Sequence, residues 1–190
     1  VDGKYVPISV TAVIKKISNE KPFNGELIVQ KNLASWRRNP NSKYGKLIEH
    51  KSDSEAKTLI LKQWSDANRL GTQLHRRLEA LVNSEEEAAD GETDSEYATL
   101  KKAVNQLQVA GAAPYRSELS VFYEKAGKAV CAGQVDLLLR TVDGELVMID
   151  LKRSDKPLGP DTTSFDHLTF SAPLENVEVT EFNKYSLQLS

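Results

Sequence analysis

Cysteine is nearly absent. Cys131 is the only one in 190 residues, which excludes an intramolecular disulfide, a four-cysteine zinc site and a four-cysteine iron–sulfur cluster. A reducing intracellular compartment is the expectation that follows. No apolar run approaches the roughly 20 residues that a membrane-spanning helix needs. Neither sign of charge dominates: 25 Lys and Arg stand against 27 Asp and Glu, so a uniformly basic nucleic-acid coat is excluded and any basic patch must be local. The opening VDGKYVPISV lacks an initiator Met and has no basic segment leading into an apolar one, and it reads as the start of a processed or trimmed chain.

What is present is a globular balance, 39% hydrophobic and 27% charged, in a length that suits one domain with its own core. Ile8 to Ile17 (ISVTAVIKKI) fits a strand or a short helix capped by Ser9, and the helix is preferred. Leu33 to Trp64 is polar and helix-rich but broken at Asn39-Pro40-Asn41, because Pro40 removes a donor and restrains its predecessor. Trp36 and Trp64 are expected as core anchors. Leu70, Leu74, Leu78, Leu81 and Val82 recur at helical spacing and predict an amphipathic helix over Asp66 to Val82. The acidic stretch Ser84 to Glu96 has no aromatic residue and reads as a solvated loop that repels nucleic acid. Tyr97 to Val109 resumes a helical pattern and stops before the breakers Gly111 and Pro114.

The pattern then changes to three strand-like runs, Arg116 to Tyr123, Lys128 to Arg140 and Glu145 to Leu151. Lys125-Ala126-Gly127 and Val142-Asp143-Gly144 are hairpin signals, so the runs form an antiparallel meander. A Pro/Gly/Asp/Thr-rich excursion beyond Lys152, through Ser171-Ala172-Pro173, is expected as a mobile loop before a helix over FNKYSLQLS.

The third strand leaves the core carrying Asp150 and Lys152 on one side and Ile149 and Leu151 on the other. Counting back from a three-residue turn ending in Gly144, Thr141 pairs with Glu145 and Asp136 faces Asp150. A loop centred on Gly127 brings Glu118 opposite Asp136, provided that no bulge intervenes at Gly133. Opposed carboxylates repel unless a proton or cation lies between them, and hard oxygen donors of this kind suit Mg²⁺ or Mn²⁺. Lys152 would stand beside them to orient a water or meet developing negative charge. The same spacing also fits an exposed charged edge with Asp136 paired to Arg140 along its strand.

Four motifs carry more than spacing. SELSVF, AGQVDLLL and GELVMIDLKRS, with GTQLHRRLE on the preceding helix, resemble the PD-(D/E)XK nuclease superfamily in its RecB-like, lambda-exonuclease-like branch. There the order is a helix Gly-Thr-x-x-His-x-x-x-Glu, an acid, Gly-x-x-Asp, then an acid-x-Lys. His75, Glu118, Asp136, Asp150 and Lys152 match it in order, and NKYSLQLS resembles the branch's Gln-x-x-x-Tyr helix with Gln188 as the Gln. The matching Tyr would fall beyond Ser190, as if the chain stopped inside the motif.

The resemblance implies an α/β (α+β) fold with a restriction-endonuclease-like core: a central mixed sheet containing the antiparallel three-stranded meander, flanked by helices. It implies one domain over 1–190, helical to about 112, with the catalytic sheet over about 113–155 and a loop and closing helix over 156–190. It also implies a Mg²⁺- or Mn²⁺-dependent deoxyribonuclease, exonuclease-like, with RNA not excluded. His75, Glu118, Asp136, Asp150 and the Leu151 carbonyl would bind metal. Lys152 would position the attacking water, and Glu79 would support the ligands. Gln188, Arg153, Lys156 and Arg116 would meet the nucleic acid. Tyr115 and Phe122 are expected in the core rather than stacked on bases, and His50 and His167 at the surface. The competing expectation is a nuclease-like domain that binds nucleic acid or protein without cutting.

Overall fold

The computed structural model describes residues 8–85, 91–155, 158–161 and 167–190. Helix α1 (Val10–Ile17) starts where Ser9 Oγ accepts the Ala12 N–H at 3.1 Å, so the helical reading of this segment holds. Helix α2 (Gly25–Arg38) is capped by Asn24 and ends at Asn39, immediately before Pro40. After the short α3 (Gly45–Ile48) comes α4 (Asp53–Val82), which is much longer than the Asp66 to Val82 segment that periodicity outlines. Ser65 and Asp66 resemble a helix start, but Ser52 and Glu55 supply the real one: their side chains cap each other's backbone N–H groups at 3.3 and 2.8 Å. Helix α5 (Asp94–Val109) follows, and residues 86–90 of the acidic stretch lie outside the described residues.

The chain divides into two compact units, with the division inside α4. In the unit Lys21–Gln73, Val29, Leu33, Tyr44, Ile48, Ala56 and Ile60 form the core, with Trp36 and Trp64 packed against it. The Trp64 indole N–H donates to Tyr44 Oη at 2.7 Å, which satisfies both polar tips inside an apolar cluster. Both tryptophans anchor the core, as the sequence predicts.

The other unit joins the segment through Glu20 to Leu74–Ser190. Its sheet has strands β1 (Ala112–Lys125), β2 (Lys128–Thr141) and β3 (Leu146–Ile149) in that order, with both pairings antiparallel. The expected mixed sheet is therefore antiparallel in its three strands, because short turns connect them. The parallel pairing among the described residues is the isolated bridge Ser9↔Ala132. Ala126 and Gly127, both at positive φ, make the two-residue turn, and Gly144 at φ +84° closes the second. The Thr141 N–H bonds to the Glu145 carbonyl and Leu137 pairs with Ile149, which is the register expected from the turn. Irregularities fall at Pro114/Arg116 and Tyr123/Glu124, while Gly133 pairs normally with Val121.

Leu137 and Leu139 pack on Leu78 of α4 and Val104 of α5, with Ile149 and Leu151 alongside. A second cluster gathers Ile14 of α1, Phe170 and Val179, with Leu187 of helix α6 (Glu181–Gln188) against it. Phe170 and Val179 are brought together by the Thr169↔Glu178 bridge, so part of the expected loop is core, while residues 156–157 and 162–166 lie outside the described residues. No described helix is long and apolar enough to cross a membrane.

Candidate functional site

Two buried leucines fix where the acids stand. Leu137 and Leu139 are buried against α4 and α5, which sets β2 so that Asp136, at its mid-length, meets His75 one turn before Leu78 on α4. His75 Nδ1 lies 3.4 Å from Asp136 Oδ1 and 3.8 Å from Glu118 Oε1. Glu118 sits on β1 between Ser117, paired with Leu137, and Leu119, paired with Val135, so it is level with Asp136. Its φ of +48° is a conformation that a non-glycine residue rarely adopts, and it occurs at the residue whose carboxylate turns to the histidine. One atom each from His75, Glu118 and Asp136 lie within 4.8 Å of one another, on three different elements.

Asp136 is anchored from behind: its Oδ2 accepts the Leu151 N–H at 2.6 Å. Leu151 thus contributes a backbone donor to this arrangement. Asp150 stands outside the three-residue group. Lys152 Nζ is 2.6 Å from its Oδ2, and Gln188 of α6 donates to its Oδ1 at 3.3 Å. Lys152 also lies 5.2 Å from the centre of the Tyr185 ring. The six expected residues therefore come together as two linked sets, His75–Glu118–Asp136 and Asp150–Lys152–Gln188, joined by residue 151. An open cavity of about 650 Å³ is lined by Asp136, Asp150, Gln134 and Gln188 among others.

The charges respond accordingly. The hydrogen bond to Asp136 raises the His75 pKa above its usual value against the opposing effect of burial, and the Asp136 and Glu118 charges add to the rise. Burial pushes Asp136 upward, but bonds from His75 and the Leu151 N–H, together with the His75 and Lys152 charges, hold it below the usual carboxylate value. Glu118 is raised, first by burial and then by the neighbouring charge of Asp136, with Glu79 contributing. One imidazole nitrogen and two carboxylate oxygens, one from each of three elements, are a donor set that could hold a metal ion.

The expected nucleic-acid contacts fare unevenly. Arg153 is engaged elsewhere, with Nε and Nη2 between 2.9 and 3.1 Å from the Glu96 carboxylate. Arg116 is exposed beside Tyr115, its guanidinium 5.9 Å from that ring. Lys156 lies outside the described residues. Tyr115 and Phe122, expected in the core, are instead 51% and 48% exposed: Tyr115 stands at the register break between Pro114 and Arg116, and Phe122 pairs with Ala132 beyond the end of β3. His50 and His167 are exposed, as expected.

Sequence reasoning missed Tyr185 and Glu96. Tyr185 is three residues before Gln188 on α6, so helical spacing puts both on one face and could have found it. Glu96 is 57 residues from Arg153, and no local pattern links them. No protein-family model, curated protein or solved structure matches the chain.

Proposed function

We propose that this chain is a metal-dependent nuclease that hydrolyses phosphodiester bonds in DNA, of exonuclease type, on a restriction-endonuclease-like core. The observation that carries the reading is the convergence of His75, Glu118 and Asp136 from three elements, next to a lysine held by a buried carboxylate. His75 Nδ1 and the Glu118 and Asp136 carboxylates would hold the ion. When bound, Mg²⁺ or Mn²⁺ supplies Lewis acidity to a phosphate oxygen and lowers the pKa of water. The chain's own groups do the positioning. The Leu151 N–H fixes Asp136 so that one oxygen remains directed at His75. Asp150, itself bonded by Gln188, holds Lys152 near Asp136 and His75, both of which feel its charge. There the ammonium can donate to water and meet the negative charge that develops on phosphate.

The test is cleavage of linear and circular, single- and double-stranded DNA, and of RNA, in Mg²⁺ or Mn²⁺, beside an EDTA control and Lys152→Ala. Metal-dependent cutting that the variant loses supports the reading, and preference for linear substrate supports the exonuclease type. Failure of folded, metal-supplied protein to cut any of these substrates would sink the proposal in favour of a non-catalytic binding domain.

A further inference from the structure

The near-neutral total charge conceals a division. The unit Lys21–Gln73 contains ten Lys and Arg against five Asp and Glu, a formal +5, which leaves −7 on the rest of a chain whose total is −2. The basic residues are also gathered. One cavity of about 400 Å³ in this unit is lined by Arg37, Lys46 and Lys51 with one acid, Glu49, and another of about 730 Å³ by Arg37, Arg38 and Lys57 with one acid, Asp53. Arg37 belongs to both, so the two form one cationic surface around the α2–α3 loop.

The unit's acids do not neutralise it. Asp53 pairs with Arg37 at 3.0 Å, Glu26 with Lys57 at 3.2 Å and Asp66 with Arg69 at 3.5 Å. Glu55 caps α4 through Ser52, and Glu49 faces His50. Among the described residues Arg38, Lys46 and Lys51 form no ion pair, and all three are exposed. Arg37 is braced by the Lys51 carbonyl at 2.7 Å, which keeps the guanidinium at the shared wall of the two cavities.

We infer that this surface binds the phosphodiester backbone of nucleic acid. The choice of a nucleic acid among polyanions rests on the nuclease reading; the cationic surface itself does not. Exposed cations that outnumber the acids beside them are what sequence-independent phosphate contact requires.

The experiment uses the full chain in EDTA, so that binding is read without cleavage. Fluorescence anisotropy of short labelled single- and double-stranded DNA and of RNA is followed over a range of salt, for the wild type and for Arg38→Gln/Lys46→Gln/Lys51→Gln. The control is Lys101→Gln/Lys102→Gln/Lys125→Gln, three exposed cations of the acidic unit. Circular dichroism checks that both variants fold. The expected result is that the slope of log K against log salt falls by about 2 to 3 in the first variant, at 0.7–0.9 per lost phosphate contact, and stays unchanged in the control. The DNA and RNA arms identify which backbone is preferred. An unchanged slope in the first variant, an equal fall in the control, or equal competition by poly-glutamate would each overturn the inference, the last in favour of an acidic protein partner. Binding with this signature in a protein that never cuts would retain the anchor while removing the nuclease reading, and cutting without it would do the reverse.

Discussion

The Leu151 N–H lies 2.6 Å from Asp136 Oδ2, so the chain leaving β3 holds a carboxylate that belongs to β2. The bond divides the labour of one side chain: Oδ2 is fixed by backbone, and Oδ1 is left to His75. A short bond to an ionised carboxylate is of the stronger kind, and it ties the two acid positions of the meander through a single peptide.

If His75, Glu118 and Asp136 hold a divalent ion, Mn²⁺ at about a hundredfold excess over its Kd stabilises the folded chain by roughly 2.7 kcal/mol. Asp136→Asn retains an acceptor for Leu151 but withdraws the charge, and His75→Ala removes the nitrogen donor. Both variants are expected to lose most of the Mn²⁺-induced rise in Tm in scanning fluorimetry. A full rise in both would eliminate this group as a metal centre.

Stability without metal should depend on pH in a set direction. The folded pKa of His75 is raised by the Asp136 bond, so its contribution is fully present below the unfolded value and lost as pH rises through the folded one. Asp136 is lowered, so its contribution is present above the unfolded carboxylate value and lost as pH falls through the depressed one. Glu118 is raised by burial, so stability drops as it ionises above the usual glutamate value. Tm is therefore expected to fall from mildly acidic to alkaline pH, and less steeply in His75→Gln. Because metal competes with the proton on Nδ1, the Mn²⁺-induced shift should grow over the same range. A Tm profile with the same slope in His75→Gln would contradict this.

Lys152 and Asp150 should prove coupled. The Asp150 side chain is only 6% exposed, so Lys152→Ala leaves its carboxylate with Gln188 alone and costs about 1–3 kcal/mol. Asp150→Asn/Lys152→Ala no longer buries an uncompensated charge and should cost less than the sum of the single changes. Urea denaturation of the four proteins measures the coupling, and strict additivity would mean that the contact carries no energy.

Leu139, fully buried beneath α4 and α5, supports the strand that carries Asp136. Leu139→Ala is expected to cost about 2–5 kcal/mol through lost burial and the cavity left behind. It should also lower the Mn²⁺ response, since β2 then no longer sits firmly against the helix bearing His75. A urea midpoint close to wild type would show that this cluster does not bear on stability.

Local chemistry made much of this molecule legible in advance. Ser9 caps α1, Pro40 terminates α2, and Ala126-Gly127 and Asp143-Gly144 set the turns, each acting on backbone within a few residues of itself. Once a turn is set, strand alternation carries the register along the hairpin, which is why Asp136, Glu118 and the approach to Asp150 could be counted from sequence. What counting could not decide was pairing. Asp150 turned to Lys152 and Gln188, Asp136 to His75 and the Leu151 N–H, and Arg153 to Glu96. Tyr115 and Phe122, which composition alone assigns to a core, are exposed on β1. The sequence by itself determined which residues share an element and a face, because those follow from bonds a few residues long. Only the tertiary structure decided which carboxylate meets which cation, because that depends on where separate elements stop against one another.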